Sequence, residues 1–195
     1  MRQPLGVILA GGQATRMGGG DKGLLRLGDQ SILDLVIARF EPQVASLALN
    51  ANGDAARFSG AGLPVIADSI AGFAGPLSGV LAGLDWAASK GAEHIATAAA
   101  DTPFLPCDVV PRLQLAAELA GVDIALAATA DGRQPTFGLW PVRLREDLRA
   151  ALNGGLRKVV LWTREHNAAT ATFPDSTAFF NVNTPEDLAT ARAML

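Results

Sequence analysis

Five side chains of this 195-residue chain have the types and the surroundings to handle a phosphorylated small molecule. Arg16 and Lys22 stand inside Leu5 to Gly23, LGVILAGGQATRMGGGDKG, where an apolar run empties into a loop with six glycines, one arginine and one lysine. Glycine lets backbone N–H groups approach a ligand with no Cβ in the way, and successive N–H groups in such a turn make an anion-binding concavity. The arginine is suited to a bidentate grip on phosphate and the lysine to a point charge. Asn50, Asp68 and Asp101 each follow a separate short apolar run. In Asp101 we read a Mg²⁺ ligand, because that ion takes one or two carboxylates together with substrate phosphates and waters.

Each residue also has a plainer reading. Asp101 could cap the turn at Thr102-Pro103, Arg16 could pair with Asp21, and Lys22 could be a solvated loop lysine. The coincidence of four polar or glycine-rich ends favours a shared site, since ligands of parallel α/β sheets sit in the crevice outside the carboxyl ends of the strands.

The elements that must position these groups follow from hydrophobic periodicity. Leu5 to Ala10 is a continuous apolar run, as expected of a strand buried on both faces. Ser31 caps a helix that runs to about Glu41 and ends at Pro42. Strands are expected at Val44 to Leu49 and Pro64 to Ala67, followed by a helix opened by Gly75-Pro76-Leu77-Ser78 and running to about Ser89. Ile95 to Ala100 reads as a strand, Asp108 to Leu119 as a helix and Asp123 to Ala128 as a strand. Beyond them we expect a strand at Gln134 to Trp140, helices at Arg143 to Leu152 and Leu156 to Glu165, and a last strand at Phe179 to Val182. Thr184-Pro185-Glu186-Asp187 opens a final helix, with Thr as N-cap, Pro at N1 and an acid at N3. The alternation implies an α/β chain, a three-layer Rossmann-like fold with a mainly parallel central sheet. We read residues 1–195 as a single domain, with a nucleotide-binding half over about 1–105 and an acceptor-binding half over about 106–195.

Composition narrows the classes. Hydrophobic residues are 49% and charged residues 18%, which argues for a well-buried globular chain. A net charge of −3 gives no general attraction to nucleic acid. The single cysteine, Cys107, fits a reducing compartment. The opening apolar run is too short for a signal peptide or a membrane span, so a soluble cytoplasmic protein is expected. Lys22 lies between Asp21 and Gly23, which breaks the Walker pattern. Gly18 to Gly23 matches G-x-G-x-x-G, but late after the strand, and Asn50 stands where a dinucleotide site wants an acid. His94 and His166 are isolated, so no hydrolase triad can be assembled.

At these residues the chain resembles the molybdenum cofactor guanylyltransferase family, among the nucleotidyltransferases with a glycine-rich opening signature. Leu9-Ala10-Gly11-Gly12, Arg16-Met17-Gly18-Gly19 and Asp21-Lys22 match that signature. Further matches are Asn50-Ala51-Asn52, Asp68, Gly75-Pro76-Leu77, Asp101-Thr102-Pro103, Gln134-Pro135-Thr136 and the run Asn181 to Asp187. Gly20 and Ala100 depart from the pattern without removing a proposed contact. The resemblance implies transfer of GMP from GTP to the terminal phosphate of molybdopterin or molybdenum cofactor, with release of pyrophosphate. It implies that Leu9, Ala10, Gly11, Gly12, Asn50 and Asp68 surround the nucleotide, and that Lys22 and Arg16 hold the triphosphate. Asp101 then binds Mg²⁺, and Asn181 and Asn183 face the acceptor. Transient contact with cofactor-insertion or molybdoenzyme proteins would follow. The rivals are a cytidylyl- or sugar-phosphate nucleotidyltransferase on the same scaffold, a non-catalytic nucleotide-binding or cofactor-delivery module, and, third, a nicotinamide oxidoreductase. Gly11 separates the first of these, since the cytidylyl relatives resemble LAAG there and a smaller residue suits a purine.

Overall fold

The computed structural model describes residues 2–11, 21–70, 72 and 75–195. The first apolar run forms β1, Leu5–Leu9, which has Val7 and Ile8 fully buried and pairs in parallel on both sides. After the glycine loop a short hairpin, β2 (Arg26–Leu27) and β3 (Gln30–Ser31), leads into α1, Ile32–Phe40. Ser31 caps α1 through a reciprocal capping box with Asp34. β4 (Leu47–Asn50) and β5 (Val65–Ile66) follow, then α2 (Pro76–Ser89) and β6 (His94–Ala99). The later chain supplies α3 (Val109–Ala120), β7 (Ala125–Thr129) and β8 (Gly132–Pro141). It ends with α4 (Arg145–Asn153), α5 (Val159–Glu165), β9 (Ala169–Thr172) and α6 (Pro185–Ala193).

Seven strands make one sheet in the order β5-β4-β1-β6-β8-β7-β9, with β8 antiparallel to both of its neighbours and every other pairing parallel. The expected mainly parallel α/β sheet is therefore present. Alternation along the strands sends side chains to two apolar layers. Ile8, Leu49, Ala98 and Phe137 pack with α1 and α3 on one face. Val7, Ile95, Leu126 and Trp140 pack with α2, α4 and α5 on the other. A third cluster, Leu27, Ile32, Val182 and Ala191, seats α6 against the β2–β3 hairpin.

One expectation is corrected. Phe179 to Val182 is not a strand: Thr177–Phe179 is a 3-10 turn, and the residues after it run to α6 without joining the sheet. The aromatic residues that suggested a strand are used as ring packing, with Phe179 edge-on to Phe137 and Phe173 at about 5 Å. The edge strand is instead Ala169–Thr172, parallel to β7. Its Ala-Thr-Ala-Thr sequence is too weakly apolar to announce itself.

The close approach of α2 to the sheet depends on two glycines one helical turn apart. A Cβ on Gly79 would lie 2.3 Å from the Asn50 side-chain oxygen and 2.8 Å from Leu9. A Cβ on Gly83 would lie 2.8 Å from Val7 and 2.9 Å from Ile95. Gly75, at φ 142° and ψ 165°, starts this helix in a backbone region that suits only glycine.

Two outcomes follow from this packing. Gly83→Ala overfills the core and should cost about 1–3 kcal/mol in denaturant unfolding, against a gain of under about 1 kcal/mol from helix propensity alone. His94, at the N-terminal end of β6, is held below its ordinary pKa of 6.5 by burial, opposed by Asp123 and Glu93 and helped by Arg143 and the N-terminus. Among the described residues its buried Nε2 has no hydrogen-bond partner. A lowered folded-state pKa means that the unfolded chain binds the proton more readily, so stability falls as pH drops below about 6.5. Thermal melts of His94→Asn between about pH 7 and pH 5 should show a flatter pH dependence than the parent chain.

Candidate active site

The carboxyl ends of β1, β4, β5 and β6 lie side by side on one rim, and the backbone ladder continues one residue past them. Ala10 N–H donates to the Asn50 carbonyl at 2.9 Å, Ala51 N–H to the Ile66 carbonyl at 3.0 Å and Ala100 N–H to the Leu9 carbonyl at 3.1 Å. The loops that leave the strands therefore start from fixed points. The structure brings Leu9, Ala10, Gly11, Lys22, Asn50, Asp68 and Asp101 to this rim, as the strand-end reading expects. Arg16 and Gly12 lie outside the described residues.

Two polar centres occupy the rim. At the β4–β5 end, Asn50 is buried and its amide nitrogen donates to Asp68 Oδ1 at 3.0 Å and to the Ile66 carbonyl at 3.2 Å. Asn52 donates to Asp68 Oδ2 at 2.9 Å, and its side-chain Oδ1 accepts from the Asp68 N–H at 2.9 Å. Two amides thus hold one carboxylate with a definite orientation. The same Gly79 that brings α2 close leaves room for the Asn50 side-chain oxygen, Oδ1.

At the β1–β6 end, Lys22 Nζ donates to Asn183 Oδ1 at 2.5 Å and lies 4.0 Å from Asp101 Oδ2. The Asp101 side chain is about one-quarter exposed. Burial raises its pKa above the ordinary 3.8, and the Lys22 ammonium opposes that rise. A carboxylate whose charged form burial disfavours gains from any further positive charge brought near it. Among the described residues no group of three His, Cys, Asp or Glu side chains is placed to hold a metal ion, and of the two carboxylates at the crevice, Asp101 and Asp21, the second is already paired with Arg57. That donor set fits Mg²⁺, which completes its shell with water and substrate phosphate, and does not fit a closed protein cage. With Lys22, Asp101 and a third charged residue, Asp21, the residues Leu9, Ala10, Gly23, Leu33, Phe58 and Ala100 line a small cavity of about 30 Å³.

The far end of the chain closes the site. Val182 N–H donates to the Asp101 carbonyl at 2.9 Å, and Thr102 Oγ1 donates to Asn181 Oδ1 at 2.5 Å. Asn181 and Asn183 thus reach the same centre as Lys22 and Asp101 although about 80 residues of chain separate them from Asp101. Two further contributors escaped sequence reading. Arg57 pairs with Asp21 at 2.5 Å and donates to the Asn52 and Asp54 carbonyls at 2.6 Å, so it ties the start of the Lys22 segment to the loop after β4. No sequence signal marks it. Asp187 was visible only as a helix cap, and it also binds the Asn183 N–H at 2.9 Å.

Comparison with known proteins agrees with this fold. Residues 6–169 match the model of the MobA-like NTP transferase domain. A protein of Cereibacter sphaeroides named molybdenum cofactor guanylyltransferase is 52% identical over 191 residues, covering 97% of this chain and 96% of its own. One of the same name from Bradyrhizobium sp. (strain ORS 278) is 51% identical, covering 97% of this chain and 92% of its own. The crystal structure of molybdopterin-guanine dinucleotide biosynthesis protein A from Archaeoglobus fulgidus shares the fold at a TM-score of 0.75 and 23% identity, over 97% of both chains. With the resemblance of the opening signature, a family match over most of the sheet and relatives about half identical over nearly their whole length, the chain belongs to the MobA-like NTP transferase family, in company with the molybdenum cofactor guanylyltransferases.

Proposed function

We propose that this protein transfers GMP from GTP to the terminal phosphate of a molybdopterin-type cofactor and releases pyrophosphate. The observation that carries the reading is the juxtaposition of Lys22, in the 3-10 turn Lys22–Leu24 after the glycine loop, with Asp101 just past the end of β6, one residue offering charge to phosphate and the other a carboxylate to a metal. In this reading Leu9, Ala10, Gly11 and Gly12 form the nucleotide-facing turn, and the Asn50–Asp68 pair lies against guanine or ribose. Among the described residues, Gly11's own chain neighbours aside, no heavy atom lies within 4 Å of the point where a Gly11 Cβ would stand, which leaves open space of the kind a purine needs. Residues 1–105 then serve the nucleotide, and residues 106–195 the acceptor, with Asn181 and Asn183 on the boundary between them.

The chemistry asks little of a protein base. The acceptor is a phosphate monoester with a second pKa near ~6, mostly dianionic at neutral pH. One of its oxygens attacks the α-phosphorus of GTP, a new P–O bond forms, and the bond to the β-phosphate breaks with its electron pair leaving on pyrophosphate. What must be supplied is the approach of two anions and stabilisation of the charge that develops on the leaving group. Lys22, together with Arg16 in this proposal, places fixed positive charge against the triphosphate. Asp101 would hold Mg²⁺, which when bound supplies further charge neutralisation at the phosphates. Crowding of Leu33, Phe58 and Ala100 around these groups keeps the crevice wall apolar, so each charge there is felt more strongly. We place the reaction in the cytoplasm, with the product handed to cofactor-insertion or molybdoenzyme proteins.

Two measurements check this reading. Pyrophosphate release in the presence of the acceptor should require GTP, and GTP should raise the melting temperature where CTP does not; preference for CTP identifies a cytidylyltransferase instead. Lys22→Ala and Asp101→Asn should each lower turnover at least about a hundredfold, the scale of a lost electrostatic contact in a transition state. Because burial disfavours the ionised Asp101 carboxyl, Asp101→Asn should also leave the melting temperature unchanged or raised. Retained turnover in either variant rejects the assigned roles.

A further inference from the structure

Lys22 is held by a chain of contacts that leads away from the crevice to the cap of the C-terminal helix. Its ammonium donates to Asn183 Oδ1 at 2.5 Å. Asn183 is in turn fixed through its backbone, whose N–H donates to Asp187 Oδ2 at 2.9 Å. The same carboxylate oxygen accepts the Thr184 N–H at 2.9 Å, and Thr184 Oγ1 accepts the Asp187 N–H at 3.1 Å, completing the capping box of α6. Capping α6 needs only the Thr184 half of that arrangement and the Asp187 bond to the Thr184 N–H. The additional bond to Asn183 lies outside the box and freezes the residue whose amide touches Lys22. The Lys22 ammonium and the Asp187 carboxylate also interact through space, a contribution to the lowered pKa of Asp187 that comes after its backbone bond to Asn183 and its contacts with Thr184.

The surrounding packing gives the chain of contacts a rigid base. Val182, immediately before Asn183, is fully buried with Leu27, Ile32 and Ala191, and its N–H is tied to the Asp101 carbonyl. The segment bearing Asn183 is therefore anchored on one side by Asp101 and on the other by Asp187, and the amide between them has one direction to present. A lysine has four rotatable bonds and loses up to about 2 kcal/mol of rotamer freedom when fixed. An acceptor that already holds its ammonium in the crevice removes that cost from the binding of a triphosphate.

We propose that Asp187 is a positioning residue for nucleotide binding, acting through Asn183 to hold Lys22 at the crevice, so that the helix cap at the C-terminal end of the chain is part of the nucleotide site. This rests on Lys22 meeting the triphosphate. Calorimetric titration of nucleotide into the full chain tests it. Asp187→Ala and Asn183→Ala should each weaken GTP about tenfold, the worth of one charge-assisted hydrogen bond. In a Lys22→Ala background neither should weaken it further, because the residue through which they act is gone. Thr184→Ala removes the other half of the cap but leaves the Asp187–Asn183 bond, and it should lower the melting temperature while keeping affinity within about twofold. Losses that persist in the Lys22→Ala background, or a loss in Thr184→Ala equal to that in Asp187→Ala, show a purely structural cap and overturn the proposal. Unchanged affinity in Asn183→Ala, which leaves the cap intact, overturns it as well. The same cycle with CTP separates the two readings: tighter CTP binding with the coupling preserved rejects only the guanine assignment, and no binding of either nucleotide rejects both.

Discussion

The site depends on one ammonium group being held where its counter-charges cannot fully neutralise it. Lys22 lies 4.0 Å from the Asp101 carboxylate and 2.5 Å from the Asn183 amide oxygen. A direct salt bridge at the shorter distance would have spent the positive charge inside the protein. At 4.0 Å, beside an amide acceptor, the spacing suits the proposed reaction, in which Lys22 meets an incoming phosphate and Asp101 a cation. The rest of the fold serves this spacing: β1 and β6 are adjacent parallel strands, so the glycine loop and Asp101 emerge together, and α6 and its preceding segment bring Asn183 from the other end of the chain.

Such an arrangement costs stability. Burial pushes the Asp101 carboxyl above its usual range, so ionising it in the folded chain is less favourable than in the unfolded one. The apolar layers on both faces of the sheet, which bury Trp140, Trp162, Phe40 and Phe137 completely, absorb that cost. Polar bonds within the core add to this: the Trp140 indole donates to Thr97 Oγ1 at 2.9 Å and Thr97 donates to the Thr136 carbonyl at 2.8 Å, which fixes β8 against β6. A strongly built sheet with an electrostatically unrelieved rim is the division of labour expected when a scaffold is stable and its site is not.

Much of this was legible in the sequence, for physical reasons that differ by residue. Val7-Ile8 and the alanine-rich Ile95 to Ala100 betray buried parallel strands because both faces are covered. Gly75-Pro76 and Thr184-Pro185-Glu186-Asp187 betray helix starts because capping is local chemistry. Lys22, Asn50, Asp68 and Asp101 could be grouped because strand ends in parallel sheets share a rim. Contacts between distant segments were not legible: the Arg57–Asp21 pair and the Lys22–Asn183 bond join residues 36 and 161 positions apart. The edge strand Ala169–Thr172 was missed because alanine and threonine carry little periodic signal, and Phe179 to Val182 misled because aromatic packing resembles strand composition.

Membership of the MobA-like NTP transferase family and the pairing of Lys22 with Asp101 point to one reaction, nucleotidyl transfer to a phosphate acceptor. The most direct test is to supply the protein with GTP labelled at its α-phosphorus, Mg²⁺ and molybdopterin, and to follow the label. Label recovered in a guanine dinucleotide form of the acceptor, with one pyrophosphate released for each, is the predicted result. Label recovered only as unchanged GTP or free GMP, with the acceptor unlabelled, contradicts GMP transfer.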